Sequence, residues 1–228
     1  METDDLILLL SGGATAVRRL PSPGRRMVIW LAASIASTSI VLAIHGLGDG
    51  PVMRIDVRFV VEEVALLATA LTAGVAALSS IIPGRDRRLA LLPLIPLSFW
   101  LASLGEGCVG DWMRLGVEGL QVRADWDCAR TAIVLCIVPA AAMVAMLQRG
   151  VPLVPGVSLA LGALAVAAMA NAALRPFHLG DVSVMVLVWH AGAAAFVVLV
   201  ANCLGRLVLN WRSIIPGVTH GNGADARR

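Results

Sequence analysis

Six long apolar stretches divide the chain, at 27–47, 59–82, 89–105, 128–147, 152–172 and 184–205, and polar residues cluster between them. About 20 consecutive apolar residues in a helix cross the hydrocarbon core of a bilayer. None of the stretches alternates polar with apolar residues, so helices rather than barrel strands must satisfy the backbone inside lipid. The pattern predicts an all-α membrane protein, a six-transmembrane-helix bundle preceded by a short N-terminal amphipathic segment. The third stretch is the shortest and carries Pro93 and Pro96 near its start, which predicts a tilted or kinked helix inside the bundle. Trp30, Trp100, Trp112 and Trp211 are expected in the interfacial belts.

Composition agrees with this reading. Hydrophobic residues make up 58% of the 228 and charged residues 14%, against roughly 45–50% and about 25% in soluble domains. The mean hydropathy of +0.85 excludes an ordinary soluble globular protein. All 18 basic residues are arginines, scattered along the chain, so the formal charge of +3 does not come from a tract built to bind nucleic acid. Placing the N-terminus in the cytoplasm puts Arg18, Arg19, Arg25, Arg26, Arg85, Arg87, Arg88, Arg149, Arg206, Arg212, Arg227 and Arg228 inside. Arg54, Arg58, Arg114, Arg123, Arg130 and Arg175 then fall outside. Arginine excess marks the cytoplasmic side, so both termini are expected there. The domain reading is a cytoplasmic segment at 1–26, a transmembrane domain at 27–212 and a disordered polar tail at 213–228. An acidic extracytoplasmic loop is expected at about 106–127.

The first residues form a distinct unit. Thr3 is placed to cap a helix whose first turn holds Asp4 and Asp5, which suits the positive end of the helix dipole. Leu6, Ile7, Leu9 and Leu10 then supply an apolar face. The start is acidic where a signal peptide is basic, so Met1–Leu10 is not read as a cleaved signal. Such a helix serves either as an interfacial anchor or as a docking element for a protein. Anchors are usually rich in basic residues, so the acidity favours a protein partner met by helix-in-groove recognition.

Candidate chemistry is concentrated near the outer ends of the spans. Cys108 in "GEGCVGDW" and Cys128 in "DWDC" both fall outside, where a disulfide, a responsive thiol pair or a soft or borderline metal ion acting as signal are the alternatives. His178 and Asp181, before the sixth span, are positioned to join them. Cys128, Cys108 and His178 form the metal-ligand set to be tested, and no resident cofactor is implied. His190 lies inside the sixth span, where an ionisable side chain marks a functional site. Glu62 and Glu63 near the outer mouth of the second span are within reach of Arg58 or His190. Cys136 and Cys203 sit within spans and read as packing residues. No phosphate-binding loop, dinucleotide glycine signature, HExxH or GxSxG is present, so an enzyme is not expected.

The order of several short motifs carries a resemblance: "TDDLI", "VRRLPSPGRRMVIWL", "IPGRDRR", "LGEGCVGDW", a second cysteine before span four, and "VWH" in span six. In this order the chain resembles the NrsF family of six-span anti-sigma factors, negative regulators of extracytoplasmic-function sigma factors. The resemblance implies residence in a bacterial inner membrane and a sigma factor held inactive at the cytoplasmic face. It also implies release on oxidative or heavy-metal stress, sensed through Cys128, Cys108, His178, Asp181 and His190. Family members carry a cysteine in the loop before span six, where this chain has "PFHLGD" with His178 at about that place. The sigma-docking element is then Thr3, Asp4, Asp5, Leu6, Ile7, Leu9 and Leu10, with Arg18 and Arg19 on the approach to the membrane. The competing reading is a small membrane transporter or redox membrane protein, which needs polar residues lining the bundle at mid-depth.

Overall fold

The computed structural model describes residues 3–12, 20–45, 56–122, 126–178 and 183–209, and among these there is no strand. A first helix, α1 (Thr3–Gly12), carries Asp4 and Asp5 in its first turn. Six helical segments are long and apolar enough to cross a membrane: Pro23–Ile44, Val57–Ser80, Arg87–Leu120, Trp126–Leu147, Pro155–Leu174 and Ser183–Val208. They contain α2 (Pro23–His45), α3 (Val57–Ser80), α4 (Leu94–Leu115), α5 (Trp126–Leu147) and α6 (Pro155–Leu174). The sixth is built from α7 (Ser183–Val186), a π-helical turn at Leu187–Ala191, and α8 (Gly192–Val208).

Helices α3 and α6 form the centre. α6 packs against α3, α8 and α5, while α3 also meets α4 and α2. The small side chains of α6 allow this crowding, because helices in lipid associate by close backbone approach rather than by hydrophobic exclusion. Near the start of α6, a Cβ added to Gly205 of α8 would lie 2.4 Å from the Gly156 Cα, so both positions need to stay bare.

The two ends of the bundle are tied differently. At the near end, where α2 begins, the buried Arg26 donates to Leu78 O and Met146 O. These carbonyls lie in the last turns of α3 and α5, the negative ends of their dipoles. One turn later Trp30 Nε1 donates to Pro139 O at 2.9 Å. Span one is therefore bonded to span four at two levels. Arg26→Leu removes the donor for two carbonyls, and leaving a polar group unsatisfied costs about 1–3 kcal/mol. A fall of that size in stability is expected, read as a lower midpoint of thermal unfolding in detergent.

Several expectations are corrected. Trp30 and Trp100 are 0% and 3% exposed, packed in the core rather than in a belt, whereas Trp112 is exposed and Trp211 lies outside the described residues. Within the third span Pro93 marks the junction between the 3-10 turn Arg87–Leu91 and α4, and Pro96 sits in the first turn of α4, where no intrahelical bond is lost. Pro139 lies in the interior of α5. Of the loop expected at 106–127, the part through Leu115 continues α4 and Gly116–Leu120 forms a 3-10 turn. Arg123 and Asp125 of that stretch lie outside the described residues, as does the tail expected at 213–228.

Candidate functional site

The far end of the bundle, opposite the start of α2, holds a polar network. Asp56 caps α3 by accepting from Phe59 N at 2.7 Å. One turn along, Arg58 and Glu62 stand four residues apart on the same helix face. Glu62 is fully buried. Its Oε1 accepts from Arg58 Nε at 2.9 Å and Ser103 Oγ at 3.2 Å, and its Oε2 accepts from Arg175 Nε at 2.8 Å and Nη2 at 2.7 Å. A carboxylate taken out of water persists as an ion only with such partners. Arg58 continues the chain by donating from Nη2 to Ser183 Oγ at 2.8 Å. Ser183 N donates to Asp111 Oδ2 at 2.8 Å, and Asp111 Oδ1 accepts from Arg114 Nη2 at 2.7 Å. Spans two, three and six and the end of span five are thus laced together.

Beside this network lies a second polar chain. Cys128, in the first turn of α5, places Sγ 3.8 Å from His190 Nε2, and His190 Nδ1 is 2.6 Å from Asn171 Oδ1. Asn171 Nδ2 donates to Ala167 O at 2.9 Å, which fixes the amide so that Oδ1 faces the ring. An amide oxygen only accepts, so His190 Nδ1 carries the hydrogen, an assignment drawn from the hydrogen-bond pattern. The π-helical turn at Leu187–Ala191 contains His190. Such one-turn widenings recur at functional sites. Trp126 and Trp189 meet edge to face at 6.0 Å alongside.

Below these residues a cleft of about 650 Å³ runs between α5, α6 and α8, bordered by Cys128, Cys136, Asn171 and His190 and otherwise by apolar side chains. Cys128, Ala132, Cys136 and Ala140 recur every four residues along its α5 wall.

Of the residues named from the sequence, Cys128 and His190 come together. Cys108 is half-buried on α4, and no disulfide joins it to Cys128. The backbone of His178 ends a 3-10 turn, Arg175–His178, while its side chain and Asp181 lie outside the described residues. Among the described residues no group of three or more His, Cys, Asp or Glu is arranged to hold a metal ion. On α1, Thr3, Asp4, Asp5 and Ile7 are exposed. The backbones of Leu6, Leu9 and Leu10 belong to the same helix, while Arg18 and Arg19 lie outside the described residues. Glu62 pairs with Arg58, one of the two partners anticipated. The described bonds of His190 run to Asn171 and Cys128 instead of to Glu62.

Sequence reading missed Arg175, Ser103, Ser183 and Gly107 as parts of the outer network, and Asn171 as the partner of His190. A Cβ at position 107 would lie 1.8 Å from Arg58 Nη2, so only glycine leaves room there for the guanidinium. The isolated Arg175 at the end of an uncharged span was the usable signal, because a charge at that depth needs a counter-charge.

The family of the NrsF negative regulator of sigma F matches residues 10–211. No curated protein and no solved structure matches the chain.

Proposed function

Since the chain belongs to the NrsF family of negative regulators of sigma F, we propose that it is an inner-membrane anti-sigma factor. In this reading it holds an extracytoplasmic-function sigma factor at its cytoplasmic face and releases it on oxidative or heavy-metal stress. The family match, which extends through all six spans, is the observation that carries the reading. Both termini are cytoplasmic in the proposal, supported by the arginine excess on that side. Labelling of residues 85–88 from outside intact cells contradicts that orientation.

Helix α1 is the docking element. Ile7 and Leu8 are 56% and 70% exposed, beside the exposed Asp4 and Asp5. Sigma factors present basic DNA-binding surfaces, and complementary charge sets specificity and association rate while apolar contacts supply affinity. Direct contact with DNA is no part of the proposal. Deleting residues 2–12 while keeping membrane insertion is expected to raise expression of the target regulon without stress. Unchanged repression in that strain counts against α1.

The sensing residue is Cys128, with His190 as its neighbour and Cys108, His178 and Asp181 as further candidates. A metal signal would draw on Cys128, Cys108 and His178, thiolate and imidazole being suited to soft and borderline ions. Signal passes from Cys128 down α5 to Met146 and Pro139, whose carbonyls bind Arg26 and Trp30. Those two residues begin the span that follows the docking segment.

A further inference from the structure

We propose that the Cys128–His190–Asn171 chain is a modification site for tailed α,β-unsaturated aldehydes that arrive through the bilayer and add to the Cys128 thiol. The inference deepens the proposed sensing role of Cys128 and rests on it, while naming a reagent class and a route.

The route follows from the cleft. It lies among membrane-spanning helices, and among the described residues no Asp, Glu or Arg side chain lines it. A volume of about 650 Å³ and an apolar lining with a few converging polar groups are typical of sites for small apolar ligands. The apolar stretch of the cleft below Cys128 favours a hydrocarbon tail over a hydrated ion, because desolvating a charge without compensation is costly. A molecule with a hydrocarbon tail enters from the lipid and lays the tail along Ala132, Cys136 and Ala140, bringing its polar head to the end where His190 and Asn171 sit.

The chemistry follows from the three side chains. Asn171 holds the hydrogen on His190 Nδ1, which leaves Nε2, 3.8 Å from Cys128 Sγ, as the ring nitrogen that takes the thiol proton. A thiol with an imidazole base oriented by a third group is the general arrangement of an activated nucleophile. Addition needs only one thiol: the S–H bond and the alkene π bond are lost, and an S–C bond forms at the β-carbon. His190 Nε2 receives the proton and returns it to the α-carbon of the enolate left by the addition, which gives the saturated aldehyde, so nothing is oxidised or reduced. A disulfide within the cleft is ruled out by distance. Cys136 lies eight residues along α5, about 12 Å of helix rise, beyond the roughly 4.4–6.8 Å Cα separation that a disulfide spans.

The test uses the full chain in lipid nanodiscs without any sigma factor, so that its outcome is independent of repression. Adducts at Cys128 and Cys136 are followed by mass spectrometry with trans-2-nonenal and with acrolein, which has the same reactive group and no tail. Cys128 is expected to take up nonenal at least tenfold faster than Cys136, although both thiols face the cleft. Ala194→Trp, which fills the cleft from α8, is expected to suppress nonenal addition and spare acrolein addition. His190→Leu and Asn171→Leu slow both reagents at Cys128, and Asn171→Asp, which keeps an acceptor for Nδ1–H, restores the rate. Equal rates at the two cysteines, or no advantage of the tail, overturn the proposal. If Cys128 fails this test while Cys128→Ser still blocks release of the sigma factor in cells, the lipid route is wrong and the sensing role stands.

Discussion

Glu62→Leu is expected to lower the stability of the protein by about 3–5 kcal/mol, the usual cost of removing one partner from a buried ion pair. The carboxylate is fully buried, and it neutralises two arginines at once: the Arg175 side chain is 13% exposed and the Arg58 side chain 34%. Leucine leaves both cations facing an apolar neighbour, and Ser103 loses its acceptor. The damage spreads, because Arg58 also holds Ser183, and Ser183 holds Asp111 of α4. Thermal unfolding in detergent reads the loss. A double change, Glu62→Leu with Arg175→Leu, is expected to recover part of it, since contacting residues do not act additively. Gly107→Val approaches the same defect from the other side by evicting the Arg58 guanidinium. Wild-type stability for both Glu62→Leu and Gly107→Val contradicts the role given to this network.

Cys128→Ser is expected to keep the sigma factor bound under oxidant or metal stress, while Cys136→Ser responds as the parent does. The difference lies in position: both thiols are on α5, but Cys128 is the one beside His190. Modification there is expected to alter the packing of α5 against α6 and against the π-helical turn of span six at the far end of the bundle. The near end of the same helix is bonded to Arg26 and Trp30, so a shift of α5 reaches span one and the segment before it. A bias of about 1–3 kcal/mol, the common size of coupling between sites, changes the affinity for the partner by roughly 5–150-fold. Reporter expression from the target regulon before and after stress measures it. A Cys128→Ser strain that induces like the parent makes this cysteine structural.

The six spans were legible in the sequence because length and apolarity alone determine them in lipid. The Arg58–Glu62 pair was legible for a related reason: four residues apart on a helix means one face. Arg175 was not, since its bond to Glu62 closes across 113 residues and no local spacing encodes it. Asp111 and Arg114 read as part of a loop because glycines and charges surround them. Their bond at i, i+3 and the hold of Asp111 on Ser183 N stabilise helix there, tertiary context outweighing local propensity. Trp30 and Trp100 looked interfacial from their places near span ends, but Trp30 finds a buried acceptor in Pro139 O and is thereby accommodated in the core. The pairing of His190 with Asn171 and Cys128 depends on a π-helical turn that no sequence period reveals.

Co-purification tests the central claim most directly. The full chain, tagged and extracted from its own host in mild detergent, is set beside the same chain lacking residues 2–12, both from unstressed cells. The account predicts a sigma factor in stoichiometric amount with the full chain and its loss from the shortened one. A full chain that emerges without a sigma factor, or equal recovery with both, contradicts it.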